Sequence, residues 1–446
     1  MDNRDSIDWG GASIPRLFGK MFIPTLLGML LASTVNIVDG AFVGHGVGSD
    51  ALAAVNIVAP FFLVTTGVGL MFGAGVSVVA SVHLSRGNVH AANLNVTQAF
   101  AVGTLLMVAL SLVVMTFPAA TARLLGASEG LTPYALDYMR WIIPALPFYM
   151  LMSIGLFVLR LDGSPVWAMV CNALPALLNV ALDYLFIFPL NMGIGGAALA
   201  TALSELFGCL VVLAYMLRWR RTVRFCRVKL TRTSLALTAR NIGYQVKLGA
   251  SSLIGELAIA CTMLTGNFVF IRRLGDDGVA AFSVACYCFP LVFMVGNAIA
   301  QSAQPILSYN YGAGLSARVR QTRNLTLRLA VVCGVLMSLL GVTESSFIVS
   351  LFLPAGTAAG RIAAEGLPLF SLAFLFFALN LVIIGYFQSL ERFKRATAFM
   401  LLRGFVFVVP SLLLLPLAVG DDGLWLAIPL SEALTFAAIL VTCVRR

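Results

Sequence analysis

PLNMGIGGAALATALSE (Pro189–Glu205) and PLAVGDDGLWLAIPLSE (Pro416–Glu432) are the same passage written 227 residues apart, with nine identities and no gap. The same shift lays residues 48–87 on 275–314. It matches Gly48, Asp50, Ala53, Ala54, Phe62, Val68, Gly69, Ser81 and Gly87 to Gly275, Asp277, Ala280, Ala281, Phe289, Val295, Gly296, Ser308 and Gly314. A gapless duplication over this length implies two like-shaped halves.

The surrounding composition decides the solvent of those halves. Hydrophobic residues make up 60% of the 446, charged residues only 11%, and the mean hydropathy is +0.96. Too little polar surface is available to cover a water-soluble particle. Apolar runs of roughly 20 residues recur along the chain, each long enough to cross a hydrocarbon core as a helix. Twelve can be counted, six per half, at about 17–40, 51–82, 91–117, 133–159, 165–188, 194–217, 244–271, 278–308, 320–342, 362–389, 395–416 and 423–444. A barrel would show short alternating segments instead. The expected class is an all-α integral membrane protein with twelve transmembrane helices in two six-helix repeats. An even number of spans per half makes the repeats parallel, as in secondary transporters built from duplicated halves.

Charge orients the chain. With the amino terminus in the cytoplasm, 24 of the 29 Lys and Arg residues fall on the cytoplasmic side, the exceptions being Arg123, Arg140, Arg272, Arg273 and Arg361. Positive residues concentrate in cytoplasmic loops of membrane proteins, so the net charge of +10 reflects orientation and headgroup contact rather than nucleic-acid binding. Both termini are expected in the cytoplasm, in the inner membrane. The expected organisation is an amino-terminal lobe (1–217), a basic cytoplasmic linker (218–243) and a carboxy-terminal lobe (244–446). The first 14 residues, with Asp2, Asp5 and Asp8, lack the basic start of a cleavable signal.

Catalytic signatures are missing from the sequence. There is no GxxxxGK[ST], HExxH or convincing Ser–His–Asp set, so an enzyme or nucleotide-driven pump is not expected. The eight cysteines lack a CxxC pair and read as spectator thiols. His45, His83 and His90 read as solvated residues in or beside loops, without metal-ligand spacing. Energy must then come from a gradient, in which a unit charge crossing 100 mV releases about 2.3 kcal/mol.

Ionisable groups at membrane depth usually mark ion or substrate pathways. The candidates are Asp39, Asp183, Glu205, Glu256, Arg403 and Glu432. Glu205 and Glu432 are duplicates, each after a serine, and suit a structural role such as bonding to a neighbouring helix end. Asp39, Asn179, Asp183 and Thr201 instead align with Gly266, Val406, Pro410 and Ile428, so only the first half keeps this polarity. Asn179 and Asp183 are four apart and share a helix face, Thr201 can meet them from the next span, and Asp39 can close the group. Carboxylates beside amide and hydroxyl oxygens suit a shared proton or a hard cation such as Na⁺. The alternative is that Asp183 caps a helix end near Phe188–Pro189 and Asp39 caps the loop that follows it. Prolines inside the spans, Pro24 of the first among them, are expected to bend them.

Four passages in order, VDGAFVGHGVGSDALAAVNIVAP (Val38–Pro60), LRLDGSP (Leu159–Pro165), GIGGAALATALSE (Gly193–Glu205) and QPILSYNYGAG (Gln304–Gly314), resemble the multidrug and toxic compound extrusion (MATE) family. The resemblance covers essentially the whole chain. It implies two six-helix lobes around a V-shaped cavity, and export of organic cations or other small amphipathic compounds in exchange for H⁺ or Na⁺, with no cofactor. In the branch with a cation site in the amino-terminal lobe, the matching positions are Asp39, Tyr138, Asn179, Asp183 and Thr201, so Na⁺ would sit at Asp39, Asp183 and Asn179; the proline in the helix that carries Asp39 makes Pro24 the expected bend. An aromatic that some relatives carry one turn before the helix-1 aspartate is Val35 here. Glu256 resembles the acid of a second-lobe site in another branch, whose aspartate partner has no equivalent in 362–389. A lipid-linked sugar or polysaccharide flippase of the same superfamily is the nearest alternative, and a multispan receptor or scaffold the alternative of another class.

Overall fold

The computed structural model describes residues 8–229, 231–353 and 356–444, side chains excepted at a few helix positions. Asp2 and Asp5 of the acidic start, and the outermost residues of both expected lobes, lie outside the described residues. Helices α1 (Ile14–Gly46), α2 (Ser49–Ser85), α3 (Val89–Thr116), the short α4 (Pro118–Leu124), α5 (Thr132–Leu161), α6 (Pro165–Ile187) and α7 (Gly193–Ala214) follow in order. A π-helical turn, Tyr215–Trp219, ends α7. Next come α8 (Arg232–Gly312), α9 (Ser316–Thr343), the short α10 (Ser345–Ser350), α11 (Ala358–Ser371) and α12 (Ala373–Ser389). The last are α13 (Phe393–Leu401), a π-helical stretch (Leu402–Phe407), α14 (Val408–Val419) and α15 (Asp422–Val444).

Twelve spans emerge from this series among the described residues. Ten helices are long and apolar enough to cross a membrane, and α11 with α12 forms one further span bent by 44°. The twelfth is hidden in α8, whose 81 residues divide at Gly275, where φ 64° and ψ −155° break the helical path. At 1.5 Å per residue the undivided run would be about 120 Å long, four times the hydrocarbon thickness. Large apolar side chains such as Leu105, Leu112, Leu264 and Leu417 are 65–72% exposed, which suits lipid as the neighbour. The protein is therefore an all-helical multi-pass membrane protein.

The 227-residue shift persists in the backbone. It carries α2 (49–85) onto 276–312, the second limb of α8, and α3 (89–116) onto α9 (316–343). Gly48 and its mate Gly275 both take positive φ, as do Gly87 (φ 74°) and Gly314 (φ 75°). A side chain at those turns would meet left-handed strain, which explains why glycine was kept in both copies.

The chain packs into two compact units, one of residues 1–253 with 308–314, the other of 254–307 with 315–446. In the first unit α5 packs against α2, α3 and α7, α6 packs against α7, and α1 runs along α6. Asn172 Nδ2 donates to Gly28 O at 3.1 Å, tying α6 to α1. Pro147 lacks the N–H that would bond Ile143 O, and Ser111 Oγ of α3 supplies the donor at 2.7 Å. In the second unit α12 packs on α9 and α15, and α14 on α15. There Ser338, the repeat mate of Ser111, donates to Ser371 O at 2.8 Å, beside the α11–α12 break. That break falls at Leu372, after Pro368, whereas proline loosens the turn before it. The bend is therefore not the direct work of the proline.

The segment expected as a linker is partly ordered helix. Residues 232–243 are the first turns of α8, and residues 220–229 form neither helix nor strand. That irregular part is held by side-chain hydrogen bonds. Asp162 accepts from the backbone N–H groups of Arg221 (2.7 Å), Thr222 (2.7 Å) and Val223 (2.8 Å), and from the Tyr215 hydroxyl (2.8 Å). Asn93 Oδ1 accepts from Arg224 N–H and Thr97 Oγ1 from Cys226 N–H. The start of α8 is fixed through Gln245 Nε2 on Asn95 Oδ1 at 2.9 Å, and Gly249 sits so close to Met71 backbone that a Cβ would overlap it.

Candidate functional site

The first unit brings the sequence candidates together. Asp39 lies inside α1, seven residues before its end, and Asp183 and Asn179 lie on one face of α6. Thr201 comes from α7 and Tyr138 from α5. The packing of α1 on α6 and of α6 on α7 requires small residues. At Gly46 a Cβ would strike Ile187 and Phe188, so α1 can approach the end of α6 only because that position is glycine.

Asp183 is fully buried, Tyr138 is 4% exposed and Asn179 8%. Asn179 Nδ2 donates to Thr201 Oγ1 at 3.3 Å, and Thr201 Oγ1 donates to Ala197 O at 3.2 Å. The Asp39 and Asp183 carboxyls are neighbours, with Asn179 beside Asp183 and the Tyr138 hydroxyl within electrostatic reach of both acids. Asp39 Oδ1 and both carboxylate oxygens of Asp183 nevertheless make no well-formed hydrogen bond, their near polar groups being each other's carboxyl and the Asn179 amide. Buried acceptors are normally satisfied, and leaving one unmade costs about 1–3 kcal/mol. This group therefore keeps acceptor capacity that the fold does not use.

The geometry rules against the capping alternative. Asp183 is within the body of α6 and Asp39 within α1, which continues to Gly46, and these oxygens cap nothing. Chemically, two adjacent carboxyls with an amide and two hydroxyls can share a proton, or present oxygen ligands to a small hard cation. Val35, one turn before Asp39, is buried. Helix α1 runs on through Pro24 without interruption.

Other candidates are not in this group. Glu256 is on α8 in the second unit, next to Gly255, which faces Met400. Glu205 and Glu432, expected to share a role, differ in surroundings. Glu432 Oε1 receives Arg403 Nε at 2.7 Å in a buried ion pair, and its Oε2 receives Asn380 Nδ2 at 2.8 Å. The Arg403 guanidinium also lies 4.0 Å over the Phe377 ring. Under the 227 shift the counterparts of Arg403 and Asn380 are Ala176 and Ser153, and Glu205 Oε2 has no partner. The Arg403–Glu432 pair escaped the sequence reading, although two opposite charges at membrane depth on consecutive spans were a usable signal. The Asp162 cradle escaped it too, because three of its four donors are backbone amides. His83 and His90 are in the end turns of α2 and α3, beside the loop that joins them, and the His45 side chain lies outside the described residues. No group of three or more His, Cys, Asp or Glu residues suited to a metal occurs among the described residues.

The MatE family model matches residues 24–185 and again 253–413. The chain belongs to the MatE family. The two matches start 229 residues apart and end 228 apart, close to the 227-residue repeat, so each half carries the family pattern by itself. Among its relatives, the FAD transporter of Shewanella oneidensis is 27% identical over 330 residues, covering 72% of this chain and 70% of that protein. The multidrug export protein MepA of Staphylococcus aureus is 23% identical over 431 residues, covering 95% and 92%. An outward-facing multidrug resistance MATE transporter of the MOP superfamily superposes with a TM-score of 0.91 at 19% identity, covering 100% of this chain and 98% of that one. A point mutant of the Vibrio cholerae MATE transporter VcmN gives 0.88 at 20%, covering 96% and 95%. These structures share the fold, and the MatE chain described here is a MATE-type transporter.

Proposed function

We propose that this transporter is a cation-coupled antiporter that exports organic cations or other small amphipathic compounds by alternating access, driven by H⁺ or Na⁺. The observation that carries this reading is the pair of neighbouring carboxyls, Asp39 and Asp183, with three buried oxygens that make no well-formed hydrogen bond and have only each other and the Asn179 amide beside them. At membrane depth such acids are expensive and rarely idle. A proton or Na⁺ arriving at Asp39 and Asp183 removes the repulsion between them, with Asn179, Thr201 and Tyr138 completing the polar wall. The ion drives transport to the extent that it binds one conformation better than the other. Pro24 leaves α1 one backbone hydrogen bond short, which makes this helix the natural place to bend when the acids are neutralised. The termini are assigned to the cytoplasmic side of the inner membrane, and no catalytic role is assigned to any residue. The FAD transporter among the relatives supports testing a bulky anionic aromatic compound beside cationic dyes.

Purified protein in liposomes, with pH and sodium gradients imposed separately, tests the reading. Efflux should follow one of the two gradients. Asp39→Asn and Asp183→Asn should each reduce it to background while insertion and thermal stability remain. Undiminished gradient-driven export by both variants would refute the assignment, and equal transport with no gradient would refute the coupling.

A further inference from the structure

The second unit holds a cavity of ≈ 730 Å³ lined by Arg323, Arg392, Lys394 and Arg395, by the aromatic rings of Tyr386, Phe387 and Phe393, and by one carboxylate, Glu391. We infer that this pocket binds the phosphate-bearing headgroup of an anionic phospholipid.

The cations come from separate elements. Arg323 is in the early turns of α9, while the other three surround the α12–α13 junction. Loop charge that only orients a chain in the membrane needs no such convergence on a concavity. Four cations against one acid leave the pocket positive, which favours a headgroup of net negative charge over a zwitterionic one. The junction supplies a further attraction. Glu391 turns the chain with φ 58°, and α13 begins at Phe393 with no side-chain cap, so the positive end of a helix is presented where phosphate is favoured.

Depth in the bilayer selects a lipid as the source. The pocket sits where the α12 span ends and the next begins, which is headgroup level. Its mixture of rings and cations is the composition of that zone, where amphipathic side chains place an apolar body below and a polar tip above. Phe387 is buried with the Arg395 guanidinium 5.5 Å over its ring, Arg323 and Arg395 are half-buried, and Arg392 and Lys394 are exposed. Basic pockets between membrane helices are a known form of headgroup site.

The test uses the full chain in detergent and reads its melting temperature. Dioctanoyl phosphatidylglycerol, dioctanoyl phosphatidylcholine and inorganic phosphate are added in separate titrations. Phosphatidylglycerol should raise the melting temperature and phosphatidylcholine should not. Arg392→Gln with Arg395→Gln should lose half or more of the rise. Arg227→Gln with Lys229→Gln, cations of the linker, should keep it. If the Arg392/Arg395 variant does not fold, Lys394→Gln and Arg323→Gln are compared by the phosphatidylglycerol retained in native mass spectrometry, where each should retain less than the parent. Equal shifts with both lipids, or full retention by the pocket variants, would overturn the site. An equal shift from inorganic phosphate alone would overturn the lipid as its source.

Discussion

At the scale of single residues, Glu205 and Glu432 show that a duplicated sequence does not imply a duplicated environment. Glu432 is held by Arg403 and Asn380; Glu205 has an orphan oxygen and alanine and serine where those partners would stand. Removing one member of a buried ion pair strands the other, at about 3–5 kcal/mol, whereas replacing both by apolar residues is often neutral. Arg403→Met alone should therefore lower the melting temperature sharply, and Arg403→Met with Glu432→Leu should recover most of the loss. Glu205→Gln, which deprives nothing of a partner, should change stability by less than about 1 kcal/mol. Equal losses from Glu205→Gln and Arg403→Met would contradict this contrast. The one-sided polarity at Asp39, Asn179, Asp183 and Thr201 was legible because the repeat supplied an internal control for each position. Periodicity alone does not bring Asp39 to Asp183, since it places residues on a face of their own helix and says nothing of which face another helix meets; that proximity was expected from the shared one-sided polarity and from the family resemblance.

At the scale of elements, proline and its neighbours make a sharper test. Ser111 donates to the carbonyl of Ile143 that Pro147 leaves without its usual N–H, and its repeat mate Ser338 donates to Ser371 O beside the α11–α12 break. Interhelical hydrogen bonds in membranes contribute about 0.6 kcal/mol on average and up to about 1.7. The Ile143 carbonyl, whose usual donor Pro147 lacks, belongs toward the upper end of that range. Ser111→Ala and Ser338→Ala should each destabilise by about 1 kcal/mol. Thr104→Ala should be near neutral, because that hydroxyl only back-bonds to Phe100 O of its own helix. Thermal denaturation of the three variants checks the order, and a larger loss for Thr104→Ala would reverse it. The spans themselves were legible from hydropathy. Other features were not. Residues 232–243 are helical but polar, so no apolar window registers them. The π-helical stretches and the break at Leu372 change hydrogen-bond register without changing composition. The short α4 and α10 lie between spans and are too brief for any periodicity.

At the scale of the whole molecule, the even span count and the proposed cytoplasmic amino terminus predict a side of the membrane for every connection. Counting from a cytoplasmic amino terminus, the turns at Asn88, Gly163, Ala313 and Arg392 and the linker at Arg227 should face the cytoplasm. The turns at Gly48, Gly126, Asn191, Gly275, Gly356 and Gly420 should face outward. The repeat adds a constraint that hydropathy alone does not, because Gly87 and Gly314, which share a positive φ and a sequence position, must report the same side. So must Gly193 and Gly420. Single cysteines at Asn88, Ala313, Arg227, Asn191 and Gly420, in a chain whose native cysteines have been replaced, can be labelled with a membrane-impermeant maleimide in intact cells and in inverted vesicles. Asn191 and Gly420 should label in intact cells, and Asn88, Ala313 and Arg227 only in inverted vesicles. Labelling of Asn88 and Ala313 from opposite sides would mean an odd number of spans between them and an inverted rather than a parallel repeat. The Gly275 division of α8 would then have to be something other than a turn between two full crossings, since it alone supplies the even count between those positions.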